Sequence, residues 1–373
     1  MTNKRWTPIV AMLAVLSMVA AACGTPGGGD TTTTADSGAT TTAGDGDSTT
    51  TAGGDETTTT GGTGTTTGGG EGDPLRIGVV VPLTGGLASP GTDMKDGFDL
   101  FWANHPTEIA GRTVEYRVED TGGVPETALQ LADELVQNYG AEIIVGPLLA
   151  NVTLALADRL KDNPDVIFVV PVGSADDLTQ RLRDDYPNFI RAGGWTSSQP
   201  THVLGDWAAK QGYETAATIC TDYAFGHEMC GGFTQVFTDE GGVVDPANQL
   251  WNPLGAQDFA TYITQLQGMG TDMVFGLQVG GSAGDFLSSW SDFGLKDQIP
   301  LLGGEVITDV SSIRNLDPSI VEGIISSGHW ASGRDAPETQ ELVDLSLAAT
   351  DKIPSYYLAA TWTAAQYITA AVE

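Results

Sequence analysis

Leu75-Arg-Ile-Gly-Val-Val-Val-Pro-Leu-Thr-Gly-Gly86 decides the fold. Its apolar residues run on without alternating with polar ones, which marks a strand buried on both faces of a parallel sheet. Pro82 cannot donate to a ladder and ends the strand, and Thr84-Gly85-Gly86 opens a loop before a helix that begins near Pro90. A loop at the carboxyl end of a parallel strand, leading into a helix, is where open α/β sheets bind ligands.

The same rhythm continues downstream. Strands are predicted over 113–119, 143–145, 166–170 and 188–191, with helices over 126–139 and 152–160. Pro125 stands at the first turn of its helix, where a missing N–H costs nothing. Regular strand–helix alternation implies a parallel, doubly wound sheet with right-handed crossovers. Arg191-Ala-Gly-Gly194 interrupts it, and the pattern starts afresh. Helices are expected over 199–211, 227–240, 258–267 and 283–293. They alternate with strands over 215–220, 243–250, 273–277, 299–302 and 321–327. Two helices, 336–350 and 355–372, close the chain. About 300 residues from Leu75 onward exceed one ordinary core, so two lobes are expected with a cleft between them. Gly193-Gly194 and Ser326-Ser327-Gly328 are the natural hinge crossings.

Upstream of Leu75 the chain has a different character. Lys4 and Arg5 precede an apolar run that ends in Ala20-Ala21-Ala22-Cys23, the layout of a signal peptide. The run is shorter than the roughly 20 residues of a membrane span. Cys23 after small residues resembles the lipobox of bacterial lipoproteins, although Ala20 stands where Leu is usual. That resemblance implies a lipidated Cys23 anchored to the outer face of the cell membrane; plain secretion with a coincidental Cys is the alternative. Residues 24–74, rich in Thr, Gly and Asp, hold too little apolar surface to offset ordering entropy and read as a disordered linker. A flexible chain of about 50 residues reaches roughly 40 Å, enough for a leash across an envelope layer.

The 48 acidic against 16 basic residues, a formal charge of −32, argue against nucleic acid and anionic lipid as partners. They read as a solvated acidic surface. Cys220 and Cys230, ten residues apart in an exported chain, are expected to form a disulfide. Metal binding through His227 and Cys230 is the weaker reading, because no further ligands lie near them in sequence. The chain holds no His-Glu-x-x-His, no Gly-Lys-Ser/Thr phosphate loop and no Cys-x-x-Cys. His105, His202, His227 and His329 are scattered. No catalytic residue, metal or cofactor is assigned.

Further segments stand at strand ends in order: Ile144-Val-Gly-Pro147, Phe168-Val-Val-Pro171 before Val172-Gly-Ser174, Asn188-Phe-Ile-Arg191, Asp222-Tyr-Ala-Phe-Gly226, and Leu301-Leu-Gly-Gly-Glu305. With the opening strand they resemble the branched-chain amino-acid-binding family, type I periplasmic binding proteins that serve ABC transporters. The resemblance covers residues 75–373. It implies two doubly wound lobes, 75–193 with 329–373 and 194–328, around a ligand. By the resemblance, the loops carrying Leu149, Ala150, Asn151, Val172 and Ser174 hold the ligand's carboxylate and amino groups. Glu305 receives an ammonium, and Phe225 closes over it. A carboxylate buried beside Gly303-Gly304 needs a partner, which supports a cationic ligand group; a solvated turn or a helix cap is the alternative for Glu305. Where other members have a pocket Ser, Ala150 stands, and a pocket Tyr falls at Val279, next to Gln278. Those departures open the ligand range to amides, urea or aromatic acids. Trp195 and Trp330 flank the hinge crossings and either line the cleft or pack the hinge. Members continue past the helix ending near Val372, so a stop at Glu373 implies a piece of a longer protein or a member without the last crossing. The function implied is a monomeric, non-enzymatic receptor that delivers a small molecule to an ABC permease. The alternatives are a sensor module coupled to a signalling partner and, less favoured, a hydrolase.

Overall fold

The computed structural model describes residues 72–373. The expected signal peptide over 1–23, with Cys23, and the linker as far as residue 71 lie outside the described residues.

β1 (Leu75–Val81) is buried along almost its whole length, as its unbroken apolar run requires. α1 (Ala88–Asn104), the short β2 (Glu108–Ile109), β3 (Arg112–Asp120), α2 (Pro125–Glu134) and β4 (Ile143–Val145) follow, then α3 (Ala150–Leu160), β5 (Ile167–Val170), α4 (Asp176–Asp185) and β6 (Phe189–Arg191). The first sheet has the order β2-β3-β1-β4-β5-β6. Every pairing is parallel except the β2–β3 hairpin, and Ile77 of β1 faces both Tyr116 and Ile143 in register. β3 keeps the alternating burial of a strand near the sheet margin.

The second half begins with α5 (Gln199–Lys210), β7 (Ala216–Thr221), α6 (Ala224–Asp239), β8 (Gln249–Asn252), α7 (Ala260–Met269) and β9 (Met273–Leu277). It continues through α8 (Gly281–Asp292), β10 (Leu301–Gly304), two single-turn helices, α9 (Val310–Ile313) and α10 (Pro318–Val321), and β11 (Ile325–Ser327). The second sheet, β11-β10-β9-β7-β8, is wholly parallel. α11 (Pro337–Thr350) and α12 (Tyr356–Val372) end the chain, and α12 packs along α1. The architecture is the two-sheet, doubly wound α/β arrangement that the alternation implies. Among the described residues no helix is long and apolar enough to cross a membrane.

Three sequence expectations move. The strand over 243–250 reduces to one bridge from Val243 to Thr215 and the later ladder of β8, because Pro246 starts a 3-10 turn between them. The strand over 321–327 keeps only β11. Asp317 accepts from the Ser319 N–H and Pro318 fills the first helical position, so the chain up to Val321 is the helical turn α10. The strand over 299–302 shifts to Leu301–Gly304, since Pro300 has no N–H for the ladder.

The sheets are joined by polar contacts as well as by chain crossings. Arg314 pairs with Asp93 of α1, and the Ser89 hydroxyl donates to the Ser311 carbonyl at 2.8 Å. Cys220 at the end of β7 is bonded to Cys230 in α6, with Cα atoms 6.6 Å apart.

At Gly97 a Cβ would lie 2.2 Å from the Leu358 carbonyl oxygen, so α1 and α12 approach backbone to backbone there. Helix propensity favours Ala over Gly by about 1 kcal/mol, whereas overpacking a core costs about 1–3 kcal/mol. The clash with backbone should win, and Gly97→Ala is expected to lower the thermal midpoint. Gly231→Ala, in α6 with open space around it, should raise or preserve it. Denaturant unfolding of both variants checks the opposite signs.

Candidate ligand-binding cleft

Five strands end toward one place. After β4 the chain runs through Leu148 into α3, and after β5 through Val172 to Ser174. After β7 it passes Tyr223 and Phe225, after β9 Val279, and after β10 Glu305 and Val306. With Tyr356 and Tyr357 from the start of α12, all of these except Glu305 enclose a hollow of about 10 Å³, room for roughly one water. Glu305 lies outside that lining, in a larger opening of about 530 Å³ with Asp309, Ser326, His329, Trp330 and Arg334. Tyr356 is a wall of both.

Of the residues singled out from sequence, Ala150, Val172, Ser174, Phe225 and Val279 therefore line one hollow. Leu149 does not: it is buried, and its side chain packs toward Gly123. Asn151 lies outside the lining, half-buried, with its Oδ1 atom buried and unpartnered. Gln278 is turned into the protein. Its Oε1 accepts from Asn252 at 2.9 Å and Thr221 at 3.0 Å, and its Nε2 donates to Asn252 at 2.7 Å. A fully buried amide is obliged to find such partners, and Gln278 ties β7, β8 and β9 together instead of facing the hollow. Trp195 packs against His329 with ring centres 4.3 Å apart and planes tilted by 35°, whereas Trp330 borders the larger opening. Cys230 is committed to its disulfide, and His227 bonds Asp222 at 2.7 Å.

Glu305 is only 6% exposed. Its Oε2 accepts from the His329 backbone N–H at 3.1 Å and lies 2.7 Å from the His329 ring nitrogen Nδ1. A carboxylate only accepts, so Nδ1 carries the hydrogen. Oε1 is buried and has no partner. A Cβ at Gly328 would sit 2.8 Å from that carboxylate, so a glycine at the crossing lets the chain pass.

Ser174 shares a 3.0 Å hydrogen bond with the buried Ser197. Its loop is held by Arg191, whose guanidinium donates to the carbonyls of Ala175 at 2.8 Å, Trp195 at 3.1 Å and Gly173 at 3.3 Å, and to the Thr179 hydroxyl. Burial pushes Arg191 down to about 10. Glu228 of α6 reaches across to accept from the Asp176 N–H at the start of α4, at 3.1 Å. Burial raises its carboxyl. Tyr356 and Tyr357 are raised well above the ordinary phenol value, again by burial.

Sequence reasoning passed over Arg191's clamp, Glu228, His329 and the Tyr356-Tyr357 pair. Their roles depend on partners distant in the chain, such as Asp176 for Glu228 and Glu305 for His329, which no local spacing reveals. It also counted no Gly-x-Ser-x-Gly elbow, whereas Gly280-Gly281-Ser282-Ala283-Gly284 has that spacing between a strand and a helix. Here Gly280, at φ 60°, makes the turn, and Ser282 is buried in the first turn of α8. Among the described residues no histidine is seen to hydrogen-bond to it. Likewise, no group of three or more metal-ligating side chains is found among them.

Residues 74–373 match the sequence profile of a family described as "Periplasmic binding protein". The Leu/Ile/Val-binding protein homolog 6 of Brucella abortus (strain 2308) is 26% identical over 273 residues, 72% of this chain and 68% of the relative. A solute-binding protein of an ABC transporter from R. palustris, solved in complex with benzoate, superposes with a TM-score of 0.75. It has 25% identity over 80% of each chain. An ABC transporter substrate-binding protein from Sphaerobacter thermophilus gives 0.72 and 28%, over 80% of this chain and 81% of that one.

Glu228 yields a pH test. A carboxyl held above its unfolded value binds its proton more tightly in the folded state. Stability is then lost as pH rises from the unfolded value through the folded one. Glu228→Gln should remove that loss, giving a higher thermal midpoint than the parent near neutral pH. The gap should close on acidification toward about pH 4, the unfolded value. Thermal unfolding from mildly alkaline to acidic pH checks this; a variant less stable than the parent at neutral pH refutes it.

Proposed function

The chain belongs to the periplasmic binding protein family, and from that premise we propose that it is the exported receptor of an ABC transporter. It captures a small carboxylate-bearing metabolite, an amino acid or an aromatic acid, between its two lobes and hands it to a membrane permease. The lobes are 75–193 with 329–373 and 194–328, and the receptor acts as a monomer anchored through a lipidated Cys23. Binding shifts the population of open and closed forms and needs no bond chemistry.

The observation that carries this reading is the convergence of five strand-end loops from both sheets on one hollow lined by Ala150, Ser174, Phe225 and Val279. α3 begins at Ala150 behind Leu149, which offers no side-chain cap. Its first N–H groups and helix dipole therefore suit a carboxylate. Ser174 adds a hydroxyl, and Glu305 across the cleft adds an acceptor. The rings of Tyr223, Phe225, Tyr356 and Tyr357 supply apolar faces for an alkyl or aromatic side group. Relatives named as Leu/Ile/Val-binding, and a neighbour holding benzoate, support both ligand types. The hollow is close to the size of a water, so a ligand enters by parting the lobes or moving their side chains.

Two measurements test the reading. A bound ligand at 100 times its dissociation constant should add about 2.7 kcal/mol of stability, visible as a thermal shift with leucine or benzoate. The same ligand should alter the radius of gyration in solution scattering. Ser174→Ala should weaken binding by about 0.5–1.5 kcal/mol, roughly two- to tenfold, the loss of one neutral hydrogen bond. No shift with any amino acid or aromatic acid would end the proposal.

A further inference from the structure

Glu305 is a buried carboxylate with one oxygen answered and one not. His329 answers Oε2 twice, through its backbone N–H and through Nδ1. Both donors come from the hinge crossing that follows β11, so they travel with the chain and not with a ligand. The imidazole is held by a tilted contact with Trp195 and an edge contact with Tyr356, whose ring centre is 5.1 Å away. Oε1 is as buried as the rest of the side chain and meets nothing. An orphaned acceptor of this kind costs about 1–3 kcal/mol and is unusual unless something else completes it.

We infer that His329 is a specificity-determining residue. By answering Oε2 from within the protein, it leaves Glu305 one donor short instead of one cation short. The group that completes Oε1 is then an uncharged donor, and the ligand class is a ring acid carrying a hydroxyl. This rests on the solute-binding reading above and narrows it. An ammonium would bring a full charge, with its own desolvation cost, to a carboxylate whose Oε2 already accepts two hydrogen bonds from His329. A phenolic hydroxyl brings one hydrogen and a flat apolar body. The ring suits the faces of Tyr356, Phe225 and Trp330, which border the hollow and the opening beside it.

The test is calorimetric titration of the full chain with 4-hydroxybenzoate, benzoate and leucine, repeated with His329→Phe and His329→Asn. Phe keeps a ring against Trp195 and Tyr356 but removes the side-chain donor; Asn keeps a donor. In the parent, 4-hydroxybenzoate is expected to bind at least about tenfold tighter than benzoate, because benzoate leaves Oε1 unpaired, and tighter than leucine. In His329→Phe the ratio of hydroxybenzoate to leucine affinity should fall by about tenfold or reverse, since a less compensated Glu305 now rewards a cation. His329→Asn should keep part of the preference. A merely structural role for His329 would weaken all three ligands alike, and an unchanged ratio overturns the inference. So does a parent that prefers leucine, or one that binds benzoate and 4-hydroxybenzoate equally. These last comparisons need no variant to fold. Failure of all three ligands to bind the parent overturns the solute-binding reading for these classes and this inference with it, whereas binding with the wrong order sinks only the inference.

Discussion

The parallel ladder sets the terms for everything else. A strand such as β1, paired on both edges and covered on both faces, has no free backbone group and no solvent side along its length. β7, β9 and β10 are equally enclosed. Chemistry is therefore confined to strand ends, where the backbone turns and side chains escape the sheet. Because the crossovers all return the chain in one sense, carboxyl ends gather on one side. Two such sheets facing each other bring five loops to one hollow without any loop needing to be long.

Burial then decides what the loops hold. Polar groups drawn into that junction must be paired, and the pairing builds the site. Arg191 spends its donors on the Ser174 loop, Gln278 spends its amide on Asn252 and Thr221, and Glu228 caps the start of α4 across the junction. Each of these is structural support for a neighbour that faces the hollow. For Glu305, as for Oε2 of Glu228 and Oδ1 of Asn151, the accounting does not close within the protein, and Glu305 alone of these borders the larger opening. A group that the fold pairs on one side and leaves open on the other marks where the fold expects something to arrive.

Much of this was legible from residue order. The unbroken apolar runs at Leu75, Ile143 and Met273 identified buried parallel strands, and Pro82 and Pro171 marked where they stop. That the loops at these strand ends gather follows from that; Ala150, Ser174, Phe225 and Val279 within them were singled out by the resemblance to the family. Gln278 has the same sequence position and a different fate: the buried Asn252, 26 residues away, captures its amide. Pro246 and Pro318 shortened two predicted strands because turn and capping chemistry outweighed their β-branched neighbours.

The sequence by itself determined the fold class and the set of loops that meet, because period, proline placement and strand order are properties of the chain read locally, and its resemblance to known sequences pointed to the family. The tertiary structure alone decided which of those loop residues face inward, that His329 and Glu305 are partners 24 positions apart, and that one carboxylate oxygen is left waiting. The physical reason is that hydrogen-bond satisfaction in a buried junction is settled by distance in space. Residues from different sheets compete for the same donors, and no local pattern records who wins.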